Sequence, residues 1–328
     1  MMNRKKLVFF VAIIITFIIG LGFISKGSIF TKSFNKIENQ DHNIDFKYNL
    51  ISHKIKPKFL GEAEAMIAID AKNGQIVYAH NENKPEKIAS LSKLMTLYLV
   101  IQKAQKNHGW NQIVNTTNPN LVRMSHSYDL GGFDFKKNHK YTVKELYKAA
   151  LIRSSNNAAI ALGEWVAGSN KKFINMMNQQ AKIWGLKAHF VSSSGLENSD
   201  LKHYGYNQVG NDNDGNEVSA KDIGKIAVYI LKAYPSIVDD SSQAVTYDGD
   251  QTIYNENGLL PGKEFYDPSL GVDGLKTGYT DSAGLCFVGT GKVKGKDRLV
   301  TVTLNDDDEF SNTIKLMKFV YKNSALYK

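Results

Sequence analysis

The arrangement of periodicities along the chain constrains its fold more than any other feature. Strand-like segments lie at both ends of the body, and helix-like segments fill the middle. Near the front, Ala65–Asp70 and Gln75–His80 are short apolar segments around Ala71-Lys72-Asn73-Gly74, and Asn-Gly between such segments signals a hairpin. Near the back, Leu285–Thr290 and Arg298–Leu304 read as strands joined by a turn over Gly291–Lys296. Between them, Leu91–Lys103 has apolar residues at near-helical spacing and reads as a buried helix. Thr142-Val143-Lys144-Glu145 is a capping box opening a helix through about Ile152. Asn157–Val166 and Lys171–Leu186 read as further helices, Ser219-Ala220-Lys221-Asp222 caps another through about Ala233, and Ser311–Tyr321 closes the chain. Gln112–Lys140 is polar and irregular and is expected to wall a cleft. This order predicts an α+β fold: a mainly antiparallel sheet with strands from both ends, flanking helices and an inserted helical region.

The chain has 328 residues, 42% hydrophobic and 22% charged, enough to bury a sizeable core without staples. Its single cysteine, Cys286, rules out a disulfide framework and a cysteine metal site. The net charge of +9 suits an anionic partner. Leu7–Ile24 carries no charge and follows Arg4, Lys5 and Lys6. It is just long enough to span a bilayer and lacks a good cleavage site, so it reads as an uncleaved signal anchor with its basic flank in the cytoplasm. The body is then exported, either held at the outer face of the cell membrane or secreted if the segment is cleaved. Export argues against nucleic acid and leaves wall polymer or lipid as the anionic partner. The expected organisation is an anchor or signal segment over 1–26, a polar tether with little fixed structure over 27–60, and one domain over 61–328.

Three short motifs carry chemistry. Ser90-Leu91-Ser92-Lys93 opens a helix, where positions i and i+3 share a face, so the Lys93 amine can reach the Ser90 hydroxyl. A serine needs such a base to become a nucleophile, and burial with nearby positive charge can depress an amine enough to serve. Ser154-Ser155-Asn156 lies between two helices, and Lys276-Thr277-Gly278 occurs once, beside a strand. Lys276 and Thr277 suit a substrate carboxylate, and Gly278 suits close approach of a substrate backbone. Each motif alone is a common pattern: Ser-x-x-Lys recurs at Ser33, Ser169 and Ser199, where a capping serine and a solvated lysine suffice. Together and in this order they match the serine, Ser-x-Asn and Lys-Thr-Gly set of β-lactamases and penicillin-binding proteins.

The sequence resembles the low-molecular-mass penicillin-binding proteins that act as serine-type D-Ala-D-Ala carboxypeptidases. Ile88–Thr96, Leu151–Ala158 and Val272–Thr280 are similar to the family's three motif segments, and Phe190-Val191, Ser194-Gly195-Leu196 and Ser219–Asp222 to two further ones. The similarity runs from about Ala65 to Tyr321. It implies a β-lactamase-like transpeptidase fold and an active site without metal or cofactor. Ser90 would attack the carbonyl between the two terminal D-alanines of a cell-wall stem peptide, with Lys93 as base. Ser154 would relay the proton, and Asn156 would position the substrate and Lys93. Lys276 and Thr277 would bind the terminal carboxylate, Lys276 would help keep Lys93 neutral, and the N–H groups of Ser90 and Tyr279 would form the oxyanion hole. β-Lactams would acylate Ser90. Two departures stand out. Asn157 occupies a position where many relatives have Asp. The C-terminal β-rich domain and anchor helix of many relatives are not seen, so the N-terminal segment is expected to supply attachment.

Other classes fit less well. The eight histidines are scattered with no His-Glu-x-x-His, and no Gly-x-Ser-x-Gly elbow is present. Asn211–Glu217 fails the EF-hand pattern and reads as a solvated loop, and Asn305–Glu309 reads as an acidic lead into the closing helix. The alternatives are a β-lactamase or esterase on the same scaffold, or a non-catalytic wall-binding relative.

Overall fold

The structure, a computed structural model, describes residues 44–52, 57, 63–248 and 251–328. The segment read as an anchor lies outside them. Among the described residues, no helix is long and apolar enough to cross a membrane.

The strands are β1 (Lys47–Tyr48), β2 (Ala63–Asp70), β3 (Gln75–His80), β4 (Pro85–Lys87), β5 (Ala188–His189), β6 (Glu217–Ser219), β7 (Val245–Asp248), β8 (Gln251–Tyr254), β9 (Val272–Thr280), β10 (Gly284–Gly291) and β11 (Leu299–Asp306). The helices are α1 (Lys93–Lys106), α2 (Pro119–Ser125), α3 (Val143–Ile152), α4 (Asn156–Ala167), α5 (Asn170–Ile183), α6 (Asn198–Lys202), α7 (Ala220–Ala233), α8 (Ile237–Ser241) and α9 (Glu309–Asn323). The main sheet has the order β1-β3-β2-β11-β10-β9. Front and back of the chain meet where β2 pairs antiparallel with β11, and among the described residues only the β1–β3 pairing is parallel. The expected α+β architecture is therefore the one observed.

Alternation along β2 explains the layering. Ile67 and Ile69 come against Gly224 of α7 on one face, while Met66 and Ala68 join Phe287, Leu316, Met317 and Val320 beneath α9 on the other. Both faces are buried, so β2 reads as a continuous apolar run. Each fully buried large aliphatic or aromatic side chain contributes about 1.5–3 kcal/mol. The helix caps follow the sequence. Thr142 forms a full capping box with Glu145, Ser219 accepts from Asp222 N, and Asp308 accepts from Ser311 N at the head of α9.

Several expectations need amendment. Lys47–Tyr48, inside the segment read as a tether, pairs with β3; two exposed residues leave no periodic signal. The stretch read as irregular contains α2, started by Asn118 as cap and Pro119 at the first helical position. In Asn211–Glu217 only the first part is a solvated loop, because Asn216 is buried and hydrogen-bonded. The small β4-β6-β5 sheet and the β7–β8 hairpin were not foreseen.

Candidate active site

The helix carrying Ser90 begins with a 3-10 turn, Ala89–Ser92, before α1 takes over at Lys93. In a 3-10 turn residues i and i+3 eclipse, which stacks Lys93 over Ser90. Lys93 Nζ lies 2.7 Å from Ser90 Oγ, 2.6 Å from Asn156 Oδ1 and 2.6 Å from the Ser194 carbonyl. A charged ammonium fills all three with its protons. A neutral amine donates to Asn156 and Ser194 and turns its lone pair to the Ser90 hydroxyl, so one geometry serves both protonation states. Lys93 is fully buried. Burial, then the neighbouring Lys276 charge, holds its amine well below the usual lysine range, against an opposing pull from Glu256.

Lys276, on β9, is also buried, and its Nζ donates to Ser154 Oγ and the Thr277 carbonyl, both at 2.9 Å. Burial lowers its pKa to about 8, with Glu256 again opposing. Ser154 sits in the left-handed region at φ 62, between α3 and α4, and Ala89, just before Ser90, is at φ 44. Such conformations persist only where the surroundings over-determine them, and they cluster at functional sites. Asn156 Nδ2 donates to the Leu130 carbonyl at 2.6 Å. It thereby ties the 128–131 turn to the first turn of α4.

Gly195 and Gly278 set the spacing around the serine. A Cβ on Gly195, at φ 95, would stand 2.1 Å from the Ala89 carbonyl oxygen, so only glycine lets the Ser194 segment press against the nucleophile turn. A Cβ on Gly278 would stand 3.1 Å from both Ile88 O and Ser90 N. The sequence assigned Gly278 to close approach of a substrate backbone. Within the protein, the close neighbour is the chain's own nucleophile turn, which β9 clasps at this point. That clasp brings the backbone of Gly278-Tyr279 beside Ser90 N. The Tyr279 ring itself is exposed, and its hydroxyl donates to Asp281.

Ser90, Ser154, Asn156, Thr277, Gly278 and Tyr279 thus line one cleft of about 380 Å³, walled opposite by 128–131. Lys93 and Lys276 lie beneath it. All eight residues singled out from the sequence converge here. Three contributors were missed. The Ser194 carbonyl acts through its backbone, which no side-chain motif announces. Asn216 accepts from Val191 N and Ser192 N and donates to Ser92 Oγ, pinning the Ser194 segment to the nucleophile turn. Glu256 accepts from Thr277 Oγ1 at 3.0 Å. Asn157, the departure in the second motif, is buried. It accepts from Phe133 N and donates to Phe133 O, holding the cleft-wall loop to α4. Cys286 is buried, and burial pushes its thiol up to about 12, so it offers no competing nucleophile.

A protein-family model described as D-alanyl-D-alanine carboxypeptidase matches residues 54–308. The chain is similar to the D-alanyl-D-alanine carboxypeptidase DacF of Bacillus subtilis, 30% identical over 281 residues, covering 81% of this chain and 65% of that protein. It is 29% identical over 249 residues to DacD of Escherichia coli, covering 75% of this chain and 58% of that protein. The chain therefore spans less than two thirds of the length of these curated relatives. Among solved structures it is similar to PBP3 of Streptococcus pneumoniae, described as a peptidoglycan synthesis regulatory factor. That likeness has 33% identity and a TM-score of 0.74 over 80% of this chain and 72% of the other. Penicillin-binding protein D2 of Listeria monocytogenes, solved with cefotaxime bound, is 30% identical with a TM-score of 0.64 over 80% of this chain and 98% of the other.

Proposed function

The chain belongs to the D-alanyl-D-alanine carboxypeptidase family and has the penicillin-binding-protein fold, and we propose that it removes the terminal D-Ala from peptidoglycan stem peptides through a Ser90 acyl-enzyme. The observation that carries this reading is the buried Lys93 amine, 2.7 Å from Ser90 Oγ and held toward its neutral form. Lys93 takes the Ser90 proton as Oγ attacks the carbonyl between the two D-alanines. The N–H groups of Ser90 and Tyr279 receive the developing oxyanion; losing one such donor typically costs about 10²–10³ in rate. Ser154, hydrogen-bonded to Lys276, hands its proton to the leaving D-Ala amine and takes back the one Lys93 received from Ser90. Asn156 holds Lys93 and the substrate amide, and Lys276 and Thr277 bind the substrate carboxylate. Water then hydrolyses the acyl-enzyme. β-Lactams acylate the same serine; the cefotaxime-bound Listeria relative supports this. The test is release of free D-Ala from a peptide ending in D-Ala-D-Ala, set against the same peptide ending in D-Ala-L-Ala. Free D-Ala from the first with no free L-Ala from the second is expected, and a folded chain that releases no D-Ala overturns the reading.

The two lysines give the pH profile a sign. Lys93 acts as a neutral amine, so acylation rises as pH climbs through its lowered pKa. Lys276 acts as a cation, so the rate falls again as it loses its proton near about 8. In Lys276→Gln the positive neighbour of Lys93 is gone. The acylation rate is expected to fall about 10²-fold or less, and the acid limb to move to higher pH; an unmoved acid limb would show that Lys276 does not tune Lys93.

Glu256 places a carboxylate on the hydroxyl that is to receive the substrate carboxylate. Glu256→Gln is expected to lower KM for a D-Ala-D-Ala peptide by about three- to tenfold, with no such gain for the C-terminal amide of that peptide. Equal effects on both peptides would remove Glu256 from the carboxylate subsite.

For the location we propose the outer face of the cell membrane, held by the N-terminal segment. The charge-free run Leu7–Ile24 behind a basic flank supports this. Protease added to intact cells should then digest the body, and full protection would refute export.

A further inference from the structure

Away from the cleft, His139, Glu145 and Asp248 bring three ligand atoms within 4.8 Å of one another. They come from three separate pieces of chain: the loop before α3, the third residue of α3, and the end of β7. His139 Nε2 lies 2.9 Å from Glu145 Oε1. The other Glu145 oxygen is taken by the capping box, accepting from Thr142 N and Thr142 Oγ1. Asp248 is only 6% exposed, and among the described residues both of its carboxylate oxygens are buried with no hydrogen-bond partner. A buried carboxylate without a donor is costly. A single proton shared with Glu145 would satisfy one Asp248 oxygen and leave the other bare. Two positive groups act on Asp248, His139 first and then Lys148, and neither forms a hydrogen bond to it.

We propose that His139, Glu145 and Asp248 form a divalent-cation site of the zinc type. One imidazole and two carboxylates are a borderline donor set, which favours zinc over calcium or magnesium. The half-exposed His139 and Glu145 side chains leave a fourth position for water. Such an ion would join the α3 N-terminus to the β7–β8 hairpin. Glu256 follows that hairpin and reaches Thr277, and the loop bearing His139 continues back to the cleft wall at 128–131. The role is structural: the ion would fix two edges of the cleft and take no part in the acyl transfer. Asp248 reaches His139 and Glu145 from a distant part of the chain, which is why the histidines gave no metal signal in the sequence.

The test uses the full-length chain in detergent, stripped with chelator and dialysed against zinc(II), with calcium(II) as the contrast. Bound metal is measured by mass spectrometry and thermal unfolding is followed in parallel. One zinc per chain is expected, together with a zinc-dependent rise in Tm that calcium does not reproduce. His139→Ala, at a partly exposed position where folding should survive, and Asp248→Asn should each weaken zinc binding at least about tenfold and abolish the rise. Absence of stoichiometric zinc in the wild-type chain overturns the proposal. So does zinc that stays equally tight in both variants, or a preference for calcium.

Discussion

With Ser90 replaced by alanine, D-Ala release falls by about 10⁴-fold or more, and no covalent adduct forms with a β-lactam. The size of the loss follows from the site's economy of nucleophiles. Ser90 is the only hydroxyl within reach of the Lys93 amine among its three hydrogen-bond partners, the others being the Asn156 and Ser194 oxygens of an amide and a peptide carbonyl. Ser154 is bonded instead to Lys276, and Cys286 is buried with its thiol pushed up to about 12. No second group can take over the attack. The fold should be untouched, because among the described residues Ser90 Oγ is bonded to Lys93 alone. The check is D-Ala release by both chains at equal concentration, with circular dichroism to confirm folding; a residual rate within tenfold of wild type would place the nucleophile elsewhere.

Lys93→Met should cost about 10²–10⁴ in acylation while leaving the chain folded. Methionine fills a similar volume in a site that is fully buried, and the change removes an amine whose charged form burial already disfavours. Asn156 Oδ1 and Ser194 O lose a donor, which weakens the junction of α1, α4 and the Ser194 segment. The chemistry loses more, because Ser90 then has no base. Alkaline pH separates the two roles. Above pH 9 a solvent-activated serine should recover part of its rate in Lys93→Met, whereas a merely structural lysine would give a defect that pH does not touch. The measurement is the rate of β-lactam acylation from pH 6 to 10.

Much of this was legible in the sequence because its signals are local. Thr142 with Glu145, Ser219 with Asp222, and the Asn73-Gly74 turn each act within a few residues, and each appears in the structure where its residues predict. The three motifs were legible for the same reason. What joins them was not. Lys93 meets Ser194 and Asn156, and Thr277 meets Glu256, only after the sheet has closed, and long-range contacts of this kind leave no spacing to read. Backbone groups are also silent: nothing in Ser194 as a residue type marks its carbonyl as a partner for Lys93. Gly278 shows a subtler limit. Its need for glycine was visible, but the neighbour that imposes it was the protein's own nucleophile turn. Asp248 and His139 were unremarkable until the fold placed them together.

The most direct test of the central claim is to trap the acyl-enzyme. The full-length chain in detergent is incubated with penicillin, its intact mass is followed over time, and the modified peptide is sequenced. A long-lived adduct of one drug per chain on Ser90, alongside D-Ala release by the untreated chain, is the predicted result. An adduct on any other residue, or no adduct and no drug hydrolysis from a folded chain, would contradict it; rapid drug hydrolysis without accumulation would make the chain a β-lactamase instead.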